Sequence, residues 1–133
     1  MMLPEQQTFT LPWPPSANAA YRSIVVNGRP RVLLSKAGRA YKELAAWEML
    51  RQRVSSFGKQ RVAVIVDVYP PDRRRHDLGN LDKLAIDALV PRVIDDDSQI
   101  DRLTWERRKV VLGGLLRLTV TTYEPTVDSG AES

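Results

Sequence analysis

The sequence predicts an α+β fold, a single small domain in which a mixed β-sheet packs against two main helices. Three observations lead there. Apolar residues recur every second position in several segments and near every 3.6 positions in two others. The resulting order, βββ-α-β-α-ββ, neither alternates like a doubly wound chain nor stays within one class. With 133 residues and a 43% hydrophobic fraction, the chain is long enough for one core and too short for two.

Each element has a local reason. Residues 8–13 alternate weakly and run into Pro12-Trp13-Pro14-Pro15, which halts a strand and begins an extended segment. Asn27-Gly28 between two β-branched runs, 22–26 and 29–34, is the strongest hairpin signal. Ser35 is the N-cap expected for a helix over 36–54. Ala40, Leu44, Trp47 and Leu50 (or Arg51) recur near helical spacing there and are its expected buried face. After a loop at 55–60, Val62, Val64, Val66 and Val68 fall in step and predict a strand over 61–69, ended by Pro70-Pro71. Leu81, Leu84, Ala85, Ala88 and Leu89 give a second helix over 80–89, which Pro91 stops. Asp95-Asp96-Asp97 reads as a loop, and 103–111 with 115–123 as a final hairpin around Gly113-Gly114. Residues 1–123 are thus the expected domain and 124–133 an acidic, disordered tail.

Composition narrows the function. The net charge is +4, and setting aside the three acids of 124–133 leaves +7 on the body. Such a surface suits a polyanion, although many basic proteins bind nothing in particular. The absence of cysteine excludes disulfides and thiolate zinc sites, and the single histidine, His76, excludes a multi-histidine metal site in one chain. No run approaches the length of a membrane span and no signal pattern opens the chain, so a cytoplasmic protein without a membrane partner is expected.

The most informative stretch runs from Asp72 to Asp101 and holds eight of the 16 acidic residues, all Asp, next to the basic run Arg73-Arg74-Arg75-His76. Short carboxylates gathered by a fold suit a hard cation such as Mg²⁺, and an adjoining basic run suits phosphate. Asp77 precedes the second helix, where an anion or phosphate is favoured; its alternative role is simply to cap that helix. Asn80, Lys83 and Asp87 share a stripe beside the apolar face, and Lys83–Asp87 has the spacing of a surface ion pair. Three adjacent aspartates repel one another and raise one another's pKa unless a cation neutralises them, while a polar turn is their plainer explanation. The Pro-Asp … Asp/Glu-x-Lys pattern of many restriction nucleases fails here, because Leu stands at position 81, two before Lys83.

Several motifs in the same order resemble the RusA family of Holliday-junction resolvases of bacteria and their phages. They are Leu11-Pro12-Trp13-Pro14-Pro15-Ser16 with Asn18 and Tyr21; Pro71-Asp72-Arg73-Arg74-Arg75; Asp77-Leu78, Asn80-Leu81 and Lys83; Asp87-Ala88-Leu89; and Asp96-Asp97-Ser98-Gln99-Ile100. The resemblance spans nearly the whole chain. It implies a homodimeric endonuclease that uses Mg²⁺, with Mn²⁺ as a substitute, to nick four-way DNA junctions symmetrically. Asp77 and Asp97 match the family's essential metal-binding aspartates, with Asp96 beside the latter, and Lys83 matches its catalytic lysine. Asn80 falls on the asparagine after the first acidic pair. Gly79 stands where the family pattern has a second Asp, and Asp82, one helical turn on, is the expected replacement.

The leading reading is therefore a Mg²⁺-dependent, junction-resolving endodeoxyribonuclease of DNA recombination and repair, bacterial or phage-encoded. Asp77, Asp97 and Asp96 or Asp82 would bind metal. Lys83 would stabilise charge on the phosphate, and Arg73, Arg74, Arg75, His76, Asn80, Lys36, Arg39 and Lys42 would hold DNA. The dimer surface is expected on the last hairpin or on the Asn27-Gly28 hairpin. The alternatives are a non-catalytic junction-binding protein with a metal site broken at Gly79, and a basic protein with no nucleic-acid role.

Overall fold

Four strands form the main sheet in the order β1-β6-β4-β5, with β1 (Gln6–Pro12), β4 (Val62–Tyr69), β5 (Ile100–Arg107) and β6 (Leu115–Thr122). β6 pairs antiparallel with both β1 and β4, whereas β4 and β5 run parallel, so the sheet is mixed as expected. β2 (Tyr21–Val26) and β3 (Arg29–Leu34) make a separate two-stranded ribbon. The helices are α1 (Ala17–Ala20), α2 (Lys36–Arg51) and α3 (Asp82–Asp87). The computed structural model describes residues 3–124, and of these every side chain except those of Asn80 and Asp82. Of the expected tail, 124–133, only Glu124 lies within the described residues.

β4 is the keystone of the core. Val62, Val64, Val66 and Val68 are fully buried and share one face with Leu116, Leu118 and Val120 of β6. Phe9 and Leu11 extend that face on β1, and Tyr41, Ala45 and Met49 of α2 join Leu84, Ala85 and Leu89 in the same cluster. Burial of each Val, Leu, Phe or Met side chain in it contributes on the order of 1.5–3 kcal/mol. The ribbon's turn matches its sequence: Asn27 and Gly28 both have positive φ, 53° and 76°, as the two-residue hairpin turn requires.

Three expectations are corrected. The buried face of α2 consists of Gly38, Tyr41, Ala45 and Met49, while Leu44, Trp47 and Leu50 are 49%, 64% and 53% exposed and Ala40 is exposed too. Two apolar stripes overlap on this helix, and close approach selected the one with the smaller residues. A Cβ built at Gly38 would lie 2.2 Å from the carbonyl oxygen of Ala20, so only glycine lets α2 touch α1. The helix also ends at Arg51, short of 54.

The last two strands do not form a hairpin with each other. β4 lies between them, and 108–114 crosses the end of β4 instead of folding back. The crossing is pinned by Arg108, whose backbone N–H donates to Val68 O at 2.7 Å and whose Nε donates to Asp67 Oδ1 at 2.8 Å. Asp67 is 7% exposed and also faces Arg117 at 3.8 Å, so its buried carboxylate meets two guanidiniums.

Tyr41 ties the helix layer to β1 by donating its hydroxyl to Pro12 O at 2.7 Å. Burial pushes this hydroxyl above its usual ionisation range. The folded state then holds the proton more tightly than the unfolded state, so stability declines as pH rises beyond about 10. Tyr41→Phe is expected to lose about 1 kcal/mol at neutral pH and to flatten that alkaline decline, as read from denaturant titrations between neutral and alkaline pH.

Candidate functional site

Because β4 and β5 are parallel, the chain between them must return along one face of the sheet, and α3 lies on that return. The candidate residues from Asp72 to Asp97 all lie on this crossover. Asp72 stands where β4 exits and organises the basic run. One carboxylate oxygen accepts the Arg74 backbone N–H at 2.9 Å and pairs with His76 Nε2 at 2.8 Å. The other accepts Arg74 Nε and Nη2 at 3.1 and 3.0 Å. The Arg74 guanidinium, and then His76, hold this carboxyl well below the usual carboxylate range.

His76 is engaged on three sides. Besides Asp72, the Trp13 ring meets it edge-on at 5.3 Å, and Arg107 donates to its carbonyl oxygen at 2.6 Å. Arg75 lies 3.4 Å from Asp77. Within the run, Arg73 alone has no described ion pair. Trp13, Ser16, Arg75, His76 and Asp77 line a shallow cavity of about 220 Å³.

Asp77 occupies the N-cap position of a short 3₁₀ turn, Leu78–Asn80, but its side chain makes no capping hydrogen bond and is 60% exposed. The structural alternative for this carboxylate therefore lacks its defining contact. Among the described residues a Cβ at Gly79 would meet nothing within 4 Å, and the backbone there is not left-handed. Asn80 and Asp82 belong to the same turns, and their side chains are outside those described.

The second acidic segment is folded by Gln99, which is 6% exposed. Its Oε1 accepts the backbone N–H groups of Asp95 and Asp96 at 2.8 and 2.9 Å. Its Nε2 donates to the carbonyl oxygens of Gly58 and Gln60, both at 2.8 Å. With the backbone thus satisfied, Asp95, Asp96 and Asp97 are exposed. Among the described residues no basic side chain lies within ion-pair distance of these three. Mutual repulsion was expected to raise their pKa values, yet Asp96 is lowered, chiefly because Ser98 Oγ donates to it at 2.6 Å.

Lys83, Ile86, Asp87, Asp97 and Leu103 line one cleft of about 270 Å³. Lys83 and Asp87 do not form the expected ion pair. Tyr21 stands between them, its ring centroid 4.4 Å from Lys83 Nζ and its hydroxyl donating to Asp87 Oδ2 at 2.6 Å. Sequence reasoning assigned no role to Tyr21, Gln99 or Trp13, and the only signal was their place within the ordered motifs.

Parallel pairing also sets where the crossover begins and ends. Ile100 pairs near Val62 at one end of β4, and Asp72 to Asp77 leave from the other end. Asp77 lines the cavity with Trp13 and His76, and Asp97 lines the cleft with Lys83. Among the described residues, no three His, Cys, Asp or Glu side chains are grouped closely enough to hold a metal ion together. The donor chemistry nevertheless fits a hard divalent cation, since all donors are carboxylate oxygens and Mg²⁺ commonly takes only one or two of them besides water and phosphate. Lys36, Arg39 and Lys42 lie on the first half of α2, where Arg39 donates to Leu34 O at 3.0 Å. Among the described residues no helix is long and apolar enough to cross a membrane.

Comparison with known proteins adds an independent finding. Residues 12–122 match the family described as endodeoxyribonuclease RusA. The chain is similar to the crossover junction endodeoxyribonuclease RusA of Escherichia coli K12, 37% identical over 116 residues that cover 86% of this chain and 92% of that protein. The Shigella sonnei protein of the same name is 36% identical with the same coverage. That of Enterobacteria phage 82 is 37% identical over 84% of this chain and 91% of its own.

The Gln99 amide makes a concrete expectation. Gln99→Leu keeps the size but strands two backbone N–H groups and two carbonyls, and should cost about 2–4 kcal/mol in denaturant unfolding. Asp95→Ala, which removes only an exposed carboxylate, should shift unfolding by less than about 0.5 kcal/mol.

Proposed function

Since the chain belongs to the RusA family of endodeoxyribonucleases, we propose that it resolves four-way DNA junctions with Mg²⁺ by paired symmetric nicks. The observation that carries this reading is the cleft where Asp97 and Lys83 face one another, with no described ion pair on either side chain. Asp97 and Asp96 from the Gln99-stapled loop, and Asp77 and Asp82 from the turns that open α3, would hold one or two cations. When bound, the cation supplies charge neutralisation at the scissile phosphate. The Lys83 ammonium would donate to a phosphate oxygen and offset charge as the P–O bond breaks. Arg73, Lys36, Arg39 and Lys42 would track backbone phosphates, fixing register without reading bases. His76, Arg74 and Arg75 would shape that loop through Asp72 and Asp77. Asn80 is assigned to DNA by its position alone.

Gly79 motivates a second reading, in which the chain binds junctions without cutting them. With no described residue within 4 Å of a Cβ at position 79, its missing carboxylate is better read as a change of ligand than as a demand of the backbone. A cytoplasmic location follows from the substrate. Two nicks need two sites, and a two-fold dimer supplies both in one encounter. Exposed apolar side chains suited to such an interface occur on α2 (Leu44, Trp47 and Leu50) and on the ribbon (Val25 and Val32).

The direct test is cleavage of a synthetic four-way junction in Mg²⁺. Asp97→Asn and Asp77→Asn are each expected to lower the single-turnover rate at least 100-fold while junction binding holds or tightens. A variant that cuts at the wild-type rate would remove that aspartate from the site, and a wild type that binds but does not cut would establish the second reading. In light scattering the protein should show a mass near twice the 15.1 kDa chain; a monomer at micromolar concentration would contradict the dimer.

A further inference from the structure

We propose that Tyr21 is a positioning residue for Lys83, with Asp87 fixing the tyrosine, an inference that rests on the nuclease reading above. Lysine and aspartate four residues apart on one helix ordinarily draw together as an ion pair. Here the Asp87 carboxylate instead accepts the Tyr21 hydroxyl at 2.6 Å, and Lys83 Nζ rests on the ring face, 4.4 Å from its centroid. The distinction matters chemically. An ion pair would occupy N–H donors and neutralise the ammonium. A ring face attracts the charge while leaving those donors directed at an incoming oxygen. No described residue accepts a hydrogen bond from Lys83, in keeping with a donor reserved for substrate. A phenol that donates to a carboxylate also gains electron density in its ring, which strengthens the hold on the cation.

The backbone gives Tyr21 its place. It is the first residue of β2 and follows α1 directly, and it packs half-buried at the edge of the core. Ser16 caps α1 by accepting from Ala19 N, Ser35 N donates to Ala20 O at 2.8 Å, and Tyr21 pairs with Leu34 of β3, so both sides of the Ala20–Tyr21 junction are tethered. The ring is thus delivered by the fold and not by a mobile loop, as a positioning group should be.

The test is a double-mutant cycle in single-turnover junction cleavage, with junction affinity and unfolding measured for every variant. Tyr21→Leu should lower the rate at least tenfold with affinity within twofold. Tyr21→Phe, which keeps the ring but frees Asp87 to pair with Lys83, should recover only part of the rate. In the Lys83→Ala background, Tyr21→Leu should have almost no further effect, because its action passes through the lysine. The same loss in both backgrounds, or a folded Tyr21→Leu that cuts at the wild-type rate, would overturn the proposal. If Lys83→Ala itself cuts at the wild-type rate, the lysine's assignment falls and the positioning role with it. If Lys83→Ala is inactive and only Tyr21→Leu is normal, the nuclease reading stands and the positioning role alone is lost.

Discussion

The parallel pairing of β4 with β5 is the constraint from which the rest follows. Antiparallel neighbours can be joined by a tight turn, but parallel ones oblige the chain to cross the sheet from end to end. That obligatory return carries the basic run, α3 and the acidic loop, so the residues with chemistry to offer are strung along a single connection. It also sets their order: one acidic segment leaves the end of β4, the other leads into the start of β5, and α3 lies between them in the chain with Lys83 on its surface.

Local polar contacts then divide the carboxylates into two groups. Asp72, Asp87 and Asp101 are committed to neighbours, through Arg74 and His76, Tyr21, and Arg61 respectively. Asp67 does the same on the opposite face of the sheet, holding the chain that crosses β4. The loop of Asp95, Asp96 and Asp97 is left without any such cation among the described residues. A region of unbalanced negative charge beside a lysine with no described ion pair has the polarity that a metal-bridged phosphate would complete.

Much of the architecture was legible because large apolar residues repeat with a clear period. Val62, Val64, Val66 and Val68 announce a strand with one buried face, Leu81 to Leu89 announce a helix, and Asn27-Gly28 announces a turn, and the structure has all three, the helix over the shorter span Asp82–Asp87. The face of α2 was misread for the reason that made the others plain: Leu44 and Trp47 are the bulkier residues, whereas the interface is set by how closely Gly38 and Ala45 permit approach. The closing hairpin was misread because adjacency in sequence suggests pairing, and only tertiary competition reveals that β4 takes both strands as partners. Around the candidate site, residue types could be identified, but their partners could not. That Gln99 folds the acidic loop, that Ser98 draws Asp96 down in pKa and that Tyr21 separates Lys83 from Asp87 are facts of three-dimensional proximity, with no periodic trace.

Gly38 shows how far such proximity extends. Its missing side chain admits the carbonyl of Ala20, whose next residue carries the ring beneath Lys83. Any other amino acid at position 38 must displace α1 and, through one peptide unit, the aromatic support of the lysine. A lineage of this protein would therefore be no freer to drift at that glycine than at the lysine itself, even though the glycine meets no substrate: purifying selection would register there a chemistry that the residue never performs.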